Sequence, residues 1–221
     1  LSRFHYASAG LIRGRVSESV SYLRAIVLEE SPDLRFRVAL AASRWFAELA
    51  RTDSASPEEV LAVLEKGLEA EPSQPQLLLD LATLFAGGKT GARVETLRQA
   101  LRNALDRGRL VVPMHFALGN EAWAGGRKSE ARSHWEAAYR ANPEIPVLVN
   151  NLAYALAWTE PVDPNRALDM IDRAFSTRPD APIYRATRGQ VLVKLGRWKE
   201  AADEMEKALA AGLSDKDLLE K

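Results

Sequence analysis

The stretch GRKSEARSHWEAAYRANP (126–143) decides the fold, because it is written twice more, as VDPNRALDMIDRAFSTRP (162–179) and GRWKEAADEMEKALAAGL (196–213). Each copy carries Ala, then a large apolar residue four positions on, then Ala and a second large apolar residue. The sets are Ala131, Trp135, Ala138, Tyr139; Ala167, Ile171, Ala174, Phe175; and Ala201, Met205, Ala208, Leu209. Spacing of i, i+4, i+7 and i+8 puts all four on one face of an α-helix. The alanines let a second helix approach closely, and the large residues fill the space beside them.

Working outward, the residues before each copy also match, so the repeated units run His115–Pro143, Asn151–Pro179 and Arg185–Leu213. Gly119, Ala155 and Gly189 stand twelve residues ahead of the first Ala of each set. Gly126 and Gly196 stand five ahead of it, where a tight helix–helix turn needs a residue that accepts positive φ. Pro143 and Pro179 follow twelve residues after that Ala and predict the end of the second helix. The first Ala recurs after 36 and then 34 residues, and the two extra residues fit the loop Trp158–Asn165 with its two prolines.

This pattern resembles the tetratricopeptide repeat family, whose unit is about 34 residues of helix–turn–helix. The family's small first-helix residue matches Gly119, Ala155 and Gly189, its two alanines match Ala131/Ala138, Ala167/Ala174 and Ala201/Ala208, and its terminal proline matches Pro143 and Pro179. The family's early Trp is replaced by His115, Asn151 and Arg185, and the last proline by Leu213. The resemblance implies an all-α fold, a right-handed α-solenoid of about six antiparallel helix pairs forming a TPR-like superhelix. It also implies a concave face built from the first helix of each pair. As a domain plan, residues 1–221 form a single solenoid: degenerate repeats over 1–110, clear repeats over 112–145, 148–181 and 182–213, and a truncated final helix over 214–221. The first residue is not Met and Ser214 with Asp217 looks like a helix cap cut short, so the expectation is a segment of a longer, bacterial protein.

The upstream half carries the same grammar less clearly. Residues 2–13 and 16–30 read as a helix pair turning at Gly14, with Tyr22, Leu23, Ile26 and Val27 as the apolar face of the second helix. Ser31-Pro32 opens a helix over 33–51. Ser56-Pro57-Glu58-Glu59 opens another, whose Val60, Leu64, Gly67 and Leu68 repeat the second-helix pattern before Pro72. Helix 75–86 is nearly all apolar and should be buried on several sides. Helix 92–107 should point Val94, Leu97, Leu101 and Leu105 inward and Arg93, Arg98 and Arg102 outward.

Composition excludes several function classes. Thirty basic and 30 acidic residues give no net charge, which removes the simplest argument for nucleic-acid binding. There is no cysteine, hence no disulfide framework or thiolate metal site, and cytosol and periplasm fit equally. No apolar run is long enough to span a membrane. Gly88-Lys89-Thr90 has the tail of a phosphate-binding loop, but position 83 is Thr where that motif needs Gly, and the preceding residues read as helix where it needs a strand. His5, His115 and His134 lack metal-ligand spacing, and no nucleophile motif is present, so the reading is non-enzymatic, with no cofactor and no metal. The cluster Arg93, Arg98, Arg102, Arg107 and Arg109 reads either as an anion patch or as a solvated helix face, and the neutral chain favours the face.

Function is therefore expected in the groove. The positions that contact ligands in the family, carried over, are Phe116, Asn120 and Trp123; Leu152, Leu156 and Thr159; and Ala186, Gln190 and Val193. Asn120 matches an asparagine of the carboxylate-clamp repeats that bind chaperone C-termini, but Phe116 stands where a clamp Lys belongs and Ala153 where a second Asn belongs. The set suits an extended or helical peptide, with apolar anchors and amides that fix its backbone; Phe116 and Trp123 could equally serve as inter-repeat core. The expected partner is a protein or peptide, with no nucleic acid and no membrane span, and the expected function is a protein–protein interaction scaffold. The alternatives are a recruitment or regulatory segment of a larger enzyme or signalling protein, and a scaffold that self-assembles into a homo-oligomer through its solenoid ends.

Overall fold

A computed structural model of the chain describes residues 2–28, 31–86, 91–177 and 181–214. The glycine loop 87–90, Pro179 and the expected final helix beyond Ser214 lie outside these residues. Among the described residues there are twelve helices and no strand: α1 (Ser2–Ile12), α2 (Val16–Arg24), α3 (Pro32–Arg51), α4 (Pro57–Ala70), α5 (Pro75–Ala86), α6 (Ala92–Asp106), α7 (Val111–Ala124), α8 (Lys128–Ala141), α9 (Pro146–Trp158), α10 (Pro164–Thr177), α11 (Pro182–Lys194) and α12 (Trp198–Ala210). The fold is an all-α helical-repeat solenoid. Two compact units make up the chain, Leu1–Glu121 and Ala122–Lys221, and the boundary between them falls within α7.

In the first unit α1 packs on α2 and α3 on α4, while α5 and α6 each pack against α3. The caps form as the sequence spells them. The Ser31 hydroxyl accepts from the Leu34 amide at 3.3 Å. Ser56 and Glu59 form a reciprocal capping box, with the Ser56 amide donating to the Glu59 carboxylate at 2.8 Å and the Glu59 amide to the Ser56 hydroxyl at 3.3 Å. The core is aliphatic, with Val38, Val60, Leu64, Leu77, Leu81, Leu97 and Leu101 wholly buried. Gly67 sets how closely α4 approaches its neighbours: a Cβ there would lie 2.6 Å from Ala42 Cβ and 2.7 Å from Leu77 Cδ2.

Three readings of this unit need correction. Helix α2 stops at Arg24, so Ile26 and Val27 are not on it. With Leu28 they read buried, exposed, buried, because in an extended chain successive side chains point to opposite sides. Leu79 of the apolar helix α5 is 56% exposed. The arginines of α6 do not all face outward. Arg98 is buried and donates from Nε to the Leu84 carbonyl at 2.7 Å and from Nη2 to the Phe85 carbonyl at 3.4 Å. Arg93 donates to the carbonyls of Leu49 and Ala55 at 3.1 and 2.7 Å. The last carbonyls of a helix lack intrahelical donors and sit at the negative end of its dipole. Arg98 meets both needs at the end of α5, with Glu95 at 3.5 Å to balance its charge, and Arg93 has Asp53 at 3.7 Å. Arg109 grips α4, with Nε and Nη2 on Glu65 at 2.7 and 2.9 Å and Nη2 on Glu58 at 3.0 Å. Those hydrogen bonds to Glu65 and then Glu58 raise its pKa further above the ordinary arginine value.

In the second unit α9 packs on α10, α11 on α12, α8 on α9 and α10 on α11. The repeat alanines do what their spacing predicts: Ala131, Ala138, Ala155, Ala167 and Ala208 have no exposed surface. Trp135 and Ile171 are buried beside them, whereas Leu209 lies at the edge, 37% exposed. Gly126 and Gly196 turn the chain at φ of 74° and 72°. Gly189 sits where a Cβ would come within 2.9 Å of Met205 Cγ and 3.2 Å of the Ala201 carbonyl, which explains why a small residue holds that position.

Candidate functional site: an aromatic row in the second unit

Aromatic side chains of the second unit meet where α7 and α9 run into their turns. Trp123 at the end of α7 packs its ring 5.4 Å from Trp135 of α8 and 5.5 Å, edge to face, from Tyr154 of α9. One helical turn further along α9, Trp158 stacks on Tyr154 at 6.1 Å. The four rings form a continuous row that is buried at Trp135, half-buried at Trp123 and Tyr154, and opens at Trp158. Burial pushes the Tyr154 phenol up from its ordinary pKa, so it stays neutral at physiological pH. Each end of the accessible part of the row, Trp123 to Trp158, carries an ammonium: Lys128 Nζ lies 5.2 Å from the Trp123 ring centre and Lys194 Nζ 3.9 Å from that of Trp158.

The expected groove residues divide by burial. In the first unit Phe116 is buried and Asn120 half-buried. In the second, Leu152 and Leu156 have no exposed surface, and Ala186 has 1%. These three pack helix against helix and leave the accessible surface to their neighbours. Trp123 and Val193 are half-buried, and Gln190 is buried to its rim. Thr159 caps α9 and is 5% exposed, with its hydroxyl oxygen lacking any hydrogen-bond partner. Its carbonyl accepts from Arg132 Nη1 at 2.9 Å, and the same guanidinium nitrogen also donates to the Pro161 carbonyl. Arg132 thereby holds the α9–α10 loop against α8, which fixes Trp158 in place. Tyr154, Trp158 and the two lysines were not among the residues picked from sequence. They flank the family's contact positions, and only the packing of successive first helices brings them together.

The acids and arginines of this unit are largely spent on one another. Arg185 and Arg188 converge on the nearly buried Glu204 at 3.2 and 3.4 Å, and Arg188 also reaches Asp172 at 2.6 Å. Among the described residues no cluster of three or more His, Asp or Glu is arranged to hold a metal, and no helix is long and apolar enough to cross a membrane. A cavity of about 330 Å³ lies at the other end of these helices, between Tyr139, Val149 and Met170.

A helical-repeat fold of this kind, with close-packed small residues at fixed intervals, defines a class of interaction modules. The tetratricopeptide repeat model matches residues 116–157 and 163–215, so this part of the chain carries tetratricopeptide repeats. Such repeats generally mediate protein–protein contacts and are typically non-catalytic. Among similar proteins, the Vi polysaccharide export protein VexE of Salmonella typhi is 30% identical over 130 residues, 57% of this chain and 19% of that protein. DnaJ homolog subfamily C member 3 of Rattus norvegicus is 29% identical over 109 residues, 48% of this chain and 21% of that one. The matched stretch thus spans about a fifth of each relative's length. Among solved structures, the P58(IPK) TPR domain aligns over 97% of this chain and 61% of its own, at 16% identity and a TM-score of 0.41.

Proposed function

We propose that the chain is a non-enzymatic protein-interaction scaffold, working without a cofactor, whose second unit binds a peptide or helix of a protein partner along its first helices. The observation that carries this reading is the row Trp123, Tyr154 and Trp158, three rings in mutual contact that are half-open to solvent. Aromatic rings held rigidly at a partly exposed surface bind at small cost in side-chain entropy and dominate binding energetics where they are desolvated. Half-buried Val193 of the next first helix adds apolar surface to the same unit, while Thr159 and Gln190 are buried beneath it. Phe116 and Asn120 belong to the same family positions in the first unit.

A second reading is favoured by one fact: each relative is several times longer than the matched stretch, as expected of a recruitment segment within a larger protein. In both readings the ligand is protein rather than nucleic acid. Self-assembly through the solenoid ends is the remaining alternative, and sedimentation over a concentration series separates it from the others.

The test is selection of random peptides displayed on phage against the folded chain, repeated with a Trp158→Ala, Val193→Glu variant whose helicity is checked by circular dichroism. Enriched peptides that bind the parent and lose the variant support the reading. No enrichment, or equal binding to both proteins, overturns it.

A further inference from the structure

Lys128 and Lys194 are the described cations of the second unit whose charge rests on an indole. Arg127, Arg132, Arg166, Arg185, Arg188 and Arg197 each lie within 4 Å of an Asp or Glu oxygen. Neither lysine has a carboxylate partner among the described residues. Both are solvent-exposed, and both rest their ammonium on an indole. A cation on an aromatic face keeps its full charge and its outward N–H groups, while the ring limits where the long side chain wanders. The two ammoniums stand on the two outer rings of the accessible run Trp123, Tyr154 and Trp158. The nearby acids are engaged elsewhere: Glu130 with Arg127 at 2.9 Å, Glu136 with Arg132 and Arg166, and Glu160 with the Val162 amide at 3.3 Å.

Resting on the binding surface described above, we propose that this strip recognises an acidic segment of a protein partner. Two carboxylates of the segment pair with Lys128 and Lys194, and an apolar side chain between them lies against Tyr154 and Trp158. At about 3.3 Å per extended residue, a segment of roughly four residues covers the rings from Trp123 to Trp158. Charge complementarity selects the acid: a cationic peptide meets two like charges already seated on the rings it would use. The ring geometry selects peptide over bases. With Tyr154 stacked on it and Lys194 over it, Trp158 offers mainly its edge, and Trp123 is half-buried under Lys128. Stacking platforms for single-stranded nucleic acid present open faces.

The probes are three fluorescent peptides of one length and one leucine pattern, with the variable positions glutamate, glutamine or lysine, titrated by anisotropy. A single-stranded oligonucleotide and phosphatidylglycerol/phosphatidylcholine vesicles serve as other anions. The glutamate peptide is expected to bind tightest and to weaken with salt. Its affinity should fall roughly tenfold in the Lys128→Gln, Lys194→Gln double variant, the sum of two partly exposed charge pairs, and recover in the double arginine variant. Glutamate and glutamine peptides binding alike to parent and variant would overturn the acidic selection while leaving the interaction surface in place. Binding of the oligonucleotide or vesicles with no binding of any peptide would overturn both. Parent and variant are compared by thermal melting, since these exposed lysines carry no core contact.

Discussion

Replacing Gly67 with Ala tests the repeat packing where α4 closely approaches its neighbours. In an isolated helix the change is favourable by about 1 kcal/mol. Here the new methyl would lie 2.6 Å from Ala42 Cβ and 2.7 Å from Leu77 Cδ2, with Ala42 Cα at 4.0 Å. Ala42 has no rotamer to give way with, and Leu77 is wholly buried, so α3 and α5 must shift outward. Overpacking a filled core costs about 1–3 kcal/mol, and two contacts this short belong in the upper part of that range. After the helix-propensity gain, the net loss is about 1–2 kcal/mol. For a chain of this size that lowers Tm by roughly 2–8 °C, read by circular dichroism at 222 nm. Gly91→Ser is the control, since nothing lies within 4 Å of a Cβ there and Ser is a good helix cap; it should be neutral or slightly stabilising. A Gly67→Ala protein as stable as the parent would refute the close approach of α4 to α3 and α5.

Other substitutions report on the buried polar devices. Arg98→Met should cost about 1–3 kcal/mol in urea unfolding, because it strands the Leu84 and Phe85 carbonyls, while Arg107→Met at an exposed site should change nothing measurable. Glu204→Ala should cost about 1.5–3 kcal/mol by leaving Arg185 and Arg188 short of their shared partner. Glu59 has its pKa lowered from 4.5, first by a Ser17 hydrogen bond and then by those of the Ser56 cap. Its contribution is therefore present above pH 4.5 and lost as pH falls through the lower folded value. Glu59→Gln should be less stable at neutral pH and show a shallower loss between pH 5 and 3 in acid titration of the melt.

The helical repeat was legible in the sequence because it rests on local, periodic choices. Ala131, Ala167 and Ala201 recur at helical spacing, Gly126 and Gly196 hold positive-φ turns, and Ser56-Pro57-Glu58-Glu59 spells its own cap. What escaped was decided by neighbours distant in the chain. Arg98 reads as an outward charge on the period of α6, yet it turns in because α5 ends beside it with bare carbonyls. The termination of α2 before Ile26 depends on where Leu28 finds a core. At the site, family position picks out Leu152 and Leu156, which the packing of α9 buries. The accessible row of Trp123, Tyr154 and Trp158 arises only from the register between successive first helices, and the cation that each lysine places on its ring has no periodic signature.

The central claim, that the protein works by holding a partner at the row of the second unit, is tested most directly by a photo-crosslinking amino acid placed at Trp158 of the full-length protein in the cell that makes it. The same residue at Leu79, an exposed position of the first unit, is the control. The account predicts discrete protein adducts from position 158 that are absent from position 79 and that disappear when an acidic peptide selected on the chain is supplied in excess. Adducts of equal pattern at both positions, or none at 158, would contradict it.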